Sequence, residues 1–327
     1  MVKVERCVAA LTWAREMSRA SRVALVAFAL VAAVGLGASD ATAQDLEPRA
    51  FSNAPVGLNF VLAGYAYSTG NLLFDDAVAA ALQIQEASGR IHQGVLGYVR
   101  TVDFFGLSGR VGVIVPLAAG RWEGIVADTI AAVSREGFGD PRLLFSVGFI
   151  GAPALRGREF VRYQERAVVG ASLQVIAPFG QYDAAKLINL GSNRWSFKPR
   201  VGMSYTRGRW TLEFYGSAWL FTDNPDALGQ RIVQDPIYAL EGHGIYFFRP
   251  GLWLAVDAGY GTGGRSSVGG ESKDDFRKDT RLGAQLSVPL ARRHSLKLVY
   301  VTSASTRIGA DFDTFSLLYQ YRWGAGL

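Results

Sequence analysis

Thr211-Leu212-Glu213-Phe214-Tyr215-Gly216-Ser217-Ala218-Trp219-Leu220-Phe221 alternates strictly along its length. One face carries Leu212, Phe214, Gly216, Ala218 and Leu220; the other carries Thr211, Glu213, Tyr215, Ser217 and Trp219. A period of two is a strand, because successive side chains leave opposite sides of an extended backbone. The stretch 280–290 repeats the pattern, with Leu282, Ala284, Leu286, Val288 and Leu290 against Arg281, Gly283, Gln285, Ser287 and Pro289. So does the closing stretch, with Phe315, Leu317, Tyr319, Tyr321 and Trp323 against Ser316, Leu318, Gln320 and Arg322.

About twelve such segments follow one another, near 56–67, 91–103, 109–119, 142–150, 166–178, 195–206, 210–221, 236–248, 252–261, 280–290, 294–303 and 313–323. Most span roughly ten residues, the length of a tilted strand crossing a bilayer. Their connections mostly alternate, short at Arg207-Gly208-Arg209, Arg249-Pro250-Gly251 and Ala291-Arg292-Arg293, long over 68–90, 120–141, 179–194, 222–235 and 262–279. Short turns on one side and long loops on the other are the habit of membrane barrels. A soluble sandwich or lipocalin-like barrel also alternates. Against it stand the many charges of the polar face, which a sealed core pairs only at a cost, and the aromatics near strand ends. Twelve strands also exceed the usual sandwich. The expected fold is all-β: a transmembrane antiparallel up-and-down β-barrel of about twelve strands, closed because lipid tolerates no unpaired strand edge.

The 327 residues are 49% hydrophobic and 19% charged, which excludes a disordered chain. A net charge of +6 with scattered Lys and Arg is no nucleic-acid footprint, so no nucleic-acid partner is expected. Lys3, Arg6, Arg15, Arg19 and Arg22 precede an uncharged apolar run, 23–36, and Ala41-Thr42-Ala43 follows it. That is a signal peptide cut after Ala43, the run being short of the roughly 20 residues of a spanning helix. The lone Cys7 falls within it, so disulfides and Cys-based zinc sites are excluded from the mature chain. The expected organisation is a signal peptide over 1–43, a periplasmic N-terminal segment over 44–55 and an outer-membrane barrel over 56–327.

Several stretches then carry a resemblance. They include Asp45-Leu46-Glu47-Pro48-Arg49-Ala50, Asn53-Ala54-Pro55-Val56-Gly57, Gly139-Asp140-Pro141-Arg142 and Gly170-Ala171-Ser172-Leu173-Gln174. Further on come Pro178-Phe179-Gly180-Gln181-Tyr182-Asp183, Asn189-Leu190-Gly191-Ser192-Asn193-Arg194-Trp195, Gln234-Asp235-Pro236-Ile237-Tyr238 and Tyr321-Arg322-Trp323-Gly324. From about Asp45 onward the chain resembles the outer-membrane transporter family named after the meta-pathway of phenol degradation. The resemblance implies a barrel-forming channel of Gram-negative bacteria that takes up aromatic or other small organic compounds. One departure concerns the barrel-insertion machinery, which reads a terminal aromatic: here Gly324-Ala325-Gly326-Leu327 follow Trp323.

With the apolar face toward outer-membrane lipid, the polar face lines a lumen. Its candidate constriction residues are Lys198, Arg200, Glu213, Glu241, His243, Asp257 and Arg281, with Tyr65, Tyr98 and Tyr215 placed to stack on aromatic solutes. Arg100, Arg110, Arg142, Lys297, Arg322 and Tyr67 belong to the same expected face. Basic rings favour anionic solutes; the alternative is that opposite charges on neighbouring strands merely pair and fill the interior. Tyr321 and Trp323 are expected at the membrane interface. Enzyme chemistry finds little support: His243 beside Glu241 is the one candidate base, and three histidines without a mature Cys make no zinc site. Gly259-Tyr260-Gly261-Thr262-Gly263-Gly264 spells a dinucleotide fingerprint but leads into a loop rather than a helix, and Asp311 with Asp313 falls short of a calcium shell. No cofactor and no metal are expected. The functions left open are passive uptake of small organic solutes, aromatic or anionic ones included; a structural or adhesion barrel with a plugged lumen; and an outer-membrane hydrolase.

Overall fold

A computed structural model describes residues 46–74, 79, 84–126, 129–186 and 188–326, so the expected signal peptide lies outside the described residues. The chain closes into one antiparallel ring. Its strands are β1 (Leu58–Leu73), β2 (Ile84–Phe104), β3 (Leu107–Val126), β4 (Thr129–Phe138), β5 (Arg142–Ile150), β6 (Ala167–Ile176), β7 (Ser196–Arg207) and β8 (Trp210–Phe221). After the short β9 (Asn224–Ala227) and β10 (Gln230–Gln234) come β11 (Ile237–Arg249) and β12 (Leu252–Gly263). The short β13 (Ser266–Val268) and β14 (Glu271–Ser272) precede β15 (Arg277–Ala291), β16 (His294–Thr306) and β17 (Gly309–Gly324). β4 and β5 are one strand position interrupted at Gly139-Asp140-Pro141: β3 pairs with β4 through 117–126 and with β5 through 109–114. Counted so, twelve strands form the ring, each paired to its chain neighbour, and β1 closes it against β17 from Leu58↔Gly324 to Leu73↔Gly309.

The twelve expected segments each meet one of these positions, because a period of two is read without knowing the partner. Their polarity is inverted relative to a soluble protein. On β8 Leu212, Phe214 and Leu220 are exposed, whereas Thr211, Glu213, Tyr215 and Trp219 are buried. On β15 Leu282 is exposed and Gln285 is buried to 1%. Apolar outside and polar inside is the arrangement of a strand whose outer solvent is lipid. It places the chain in the bacterial outer membrane, with short turns toward the periplasm.

Two expected loops are strand instead. Residues 120–126 and 129–138 extend β3 and β4 as a paired ribbon, and β2 runs 21 residues, well beyond a bilayer crossing. Residues 309–312 likewise belong to β17, so Asp311 and Asp313 lie on a strand. Pairing with a neighbour satisfies the backbone of these extensions even above the membrane. Gly259–Gly263 also ends β12 rather than forming a loop, and no helix follows it. Among the long connections, β9, β10, β13 and β14 form a small second sheet. On the short-turn side, 151–166 holds one helix, α1 (Gly157–Arg162).

Candidate functional site: the barrel lumen

The wall from β7 to β15 presents a continuous polar network inward. Glu241 Oε1 lies 3.2 Å from Arg200 Nη2 and 3.8 Å from Lys198 Nζ, and its Oε2 is 3.8 Å from His243 Nε2. His243 Nδ1 meets Asp257 Oδ1 at 2.7 Å, and Gln285 Nε2 donates to Asp257 Oδ2 at 2.8 Å. Register makes these contacts: Glu241 faces Tyr215 on β8 and Gly259 on β12, while His243 faces Glu213 and Asp257. Tyr215 donates to Glu213 Oε2 at 2.6 Å and stacks obliquely on His243 at 5.0 Å. Arg281 is half-buried on the inward face of β15. The structure therefore brings together seven of the expected residues: Lys198, Arg200, Glu213, Tyr215, Glu241, His243 and Asp257. Charges of both signs alternate across adjacent strands, as an interior short of water requires.

Tyr65 and Tyr98 do not belong to this set. Tyr65 is 50% exposed, opposite Leu317, and its hydroxyl meets His92 Nδ1 at 2.6 Å. Tyr98 is opposite Val61 and Val113 and donates to Asn59 Oδ1 at 2.8 Å. Both stand on the outer face, as do Tyr67, which packs on His92, and the exposed Arg100. The physical reason is that β1 to β3 carry apolar residues on both faces, so the faces differ little in polarity. Their inner side carries Leu62, Leu72, Ile91, Ile114 and Trp122, so a tyrosine there is not a marker of the lumen. Tyr321 and Trp323 stack on the outer face 5.5 Å apart, with Tyr98 6.2 Å from Trp323.

Two segments from outside the ring occupy its interior. The first is 46–57, entering at the short-turn side. Arg49 N–H donates to Glu213 Oε2 at 2.6 Å, Gln285 Nε2 to Leu46 O at 2.8 Å, and Arg110 to Ala50 O and Ser52 O. Phe51 meets Tyr215 edge-on at 5.3 Å in a notch left by two glycines. A Cβ on Gly170 would come 2.6 Å from Phe51, and one on Gly202 would come 2.9 Å from Phe51 while overlapping Tyr215. Leu46 lies in a similar notch at Gly259 and Gly283. Glu165, in the β5–β6 connection, accepts the Asn53 N–H at 2.6 Å. Burial pushes its carboxyl above the ordinary range, against the opposing pull of that N–H and of Arg49 and Arg110.

The second is the connection 177–195. Ile188 and Leu190 pack with Leu72, Ile91, Trp122 and Phe312, closing the long-loop side with an apolar cluster. Asp140, at the β4–β5 interruption and buried to 1%, ties this connection down: it accepts from Gly180 N, Ser192 N and Ser192 Oγ at 2.8, 2.8 and 2.6 Å. Arg194 Nη2 donates to Gln234 Oε1 at 2.6 Å, and its guanidinium lies 4.3 Å from the Phe221 ring centroid. The Gly-Asp-Pro, Asn-Leu-Gly-Ser and Gln-Asp-Pro stretches thus share one task, which their separation in the sequence concealed. Above the cluster a cavity of about 710 Å³ opens beside Asn71, Phe74, Glu86, Glu123 and Ile130. Among the described residues no group of three or more His, Cys, Asp or Glu stands together as a metal site.

The model of the family described as "Putative MetA-pathway of phenol degradation" matches residues 64–319. The chain belongs to this family. Among solved structures, an outer membrane channel from Pseudomonas putida F1 superposes with a TM-score of 0.72 at 20% identity, covering 85% of this chain and 100% of that one. That likeness gives the family member its fold: a twelve-stranded outer-membrane barrel. The NanC porin, at TM-score 0.44 and 8% identity, covers 80% of this chain and 98% of its own. The β domain of the Bordetella autotransporter BrkA, at 0.46 and 10%, covers 82% and 100%. No curated protein matches the chain.

Proposed function

We propose that this protein is a non-enzymatic outer-membrane channel for passive uptake of small organic solutes, aromatic and anionic ones included. The observation that carries the reading is an amphipathic lumen. The inner face of β1 to β3 is mostly apolar, with Arg110 its inward charge beside 46–57, and the facing wall from β7 to β15 holds Lys198, Arg200, Glu241, His243 and Asp257. An apolar ring with a carboxylate finds a partner for each half on opposite walls. The wall does not fill its own interior. An eight-stranded ring is packed by its own side chains, whereas twelve strands enclose more space. That space is taken by 46–57 and 177–195, neither of which is part of the ring, so their displacement opens a path.

The test is conductance and liposome swelling with the folded protein, using benzoate against a neutral sugar of similar size. Benzoate permeation, raised in a Phe51→Ala variant and reduced in Arg200→Gln, is the expected result. A barrel sealed to both solutes in native and Phe51→Ala forms would sink the channel reading. The buried anchoring of Leu46 and Phe51 would then favour a structural or adhesion barrel with a permanent plug.

A further inference from the structure

The two rims of the barrel differ in charge. On the long-loop side exposed acids and bases are interleaved and paired: Arg90 with Glu123 at 3.4 Å, Arg307 with Asp274 at 3.0 Å, and Lys186 with Asp183 at 3.0 Å. The short-turn side is different. Its two-residue turns and their flanks carry Arg207, Arg209, Arg249, Arg292 and Arg293, all exposed. The β5–β6 connection on the same side adds exposed Arg156, Arg162 and Arg166. Against these eight arginines stand, among the described residues, three side-chain carboxylates, Asp103, Glu159 and Glu165. Two of the three are engaged, Asp103 with the Gly106 N–H and Glu165 with the Asn53 N–H.

Position adds a second observation. An outward aromatic belt lies next to this rim: Trp210 packs on Tyr246 at 4.9 Å, Tyr246 on Phe248 at 5.1 Å, and Tyr321 on Trp323 at 5.5 Å. Such belts mark the level where hydrocarbon gives way to headgroups. Arg207 is the cross-strand partner of Trp210, and Arg249 follows Phe248 directly. Arg207 therefore stands level with the belt and Arg249 one residue beyond it, where headgroup phosphates begin. A guanidinium binds phosphate through two parallel N–H donors, and clustered basic residues at a membrane surface select anionic lipid.

We propose that this arginine collar binds the phosphate groups of anionic phospholipids in the periplasmic leaflet and fixes the depth of the barrel. The collar is independent of the solute path, so it stands or falls apart from the channel reading.

The test uses the full folded protein in nanodiscs of phosphatidylcholine mixed with phosphatidylglycerol, with retained lipid read by native mass spectrometry. Native protein retains phosphatidylglycerol preferentially, and salt weakens the preference. Arg207→Gln and Arg292→Gln each weaken it by roughly five-fold, the effect of one basic residue at an anionic surface. Lys278→Gln, on the long-loop side, leaves it unchanged. Equal retention of the two lipids by native protein overturns the proposal. So does a preference unaltered in both arginine variants. Inorganic phosphate displacing phosphatidylglycerol at equal concentration also overturns it, making the collar a site for soluble anions. If one variant fails to fold, the other variant and the salt titration of native protein decide.

Discussion

Glu241 is the carboxylate shared by Arg200, Lys198 and His243, and the whole group is nearly sealed from solvent. Removing one member of a buried ionic group leaves the others without compensation, at a cost of about 3 kcal/mol. Glu241→Gln is therefore expected to lower the urea midpoint for unfolding from lipid vesicles; an unchanged midpoint would show that the lumen charges are solvated. Gly202 makes a different residue-scale point. Any Cβ there overlaps Tyr215 and crowds Phe51. Gly202→Leu is expected to expel Phe51 and raise single-channel conductance, whereas the surface change Val201→Leu on the outer face is not.

At the scale of elements, the connection 177–195 depends on Asp140. Its carboxylate accepts three hydrogen bonds from that connection, and charge-assisted bonds of this kind are the stronger ones. Asp140→Ala should release the connection, so that limited proteolysis within 181–188 becomes several-fold faster while the barrel stays folded. Equal cleavage rates would mean that Ile188 and Leu190 hold it by packing alone. This element also shows where sequence reading stops. Strand alternation is local, so all twelve ring positions were legible, and so were the inward Glu213, Glu241, His243 and Asp257. Which face of a strand looks inward is legible only where the faces differ in polarity. On β8 they differ; on β1 and β2 they differ little, which is why alternation alone puts Tyr65 and Tyr98 on the wrong side. The connection 177–195 gives no periodic signal, because its order comes from Asp140 and Arg194 reaching distant partners and from Asn189 bonding Asp183 and Lys186 within the loop.

At the scale of the whole molecule, closure gives each of the twelve ring positions a hydrogen-bonded neighbour on both sides, as lipid requires, while the β4 extension pairs with β3 alone. The expected consequence is a compact form that resists detergent: unboiled protein should migrate faster than boiled protein in a denaturing gel. Identical mobilities would undo the membrane assignment. The seam of the ring joins β1 to β17, strands at opposite ends of the fold. Pairing so remote in sequence pays the largest loop-closure entropy and belongs late in folding. The segment that fills the lumen runs directly into β1. Because it enters by the short-turn rim, which closure leaves open, it can be threaded into the finished ring, or drawn out of it, without breaking a strand pair. Wall and filling are thereby separable: the vessel is closed once, and its stopper can be seated or withdrawn afterwards.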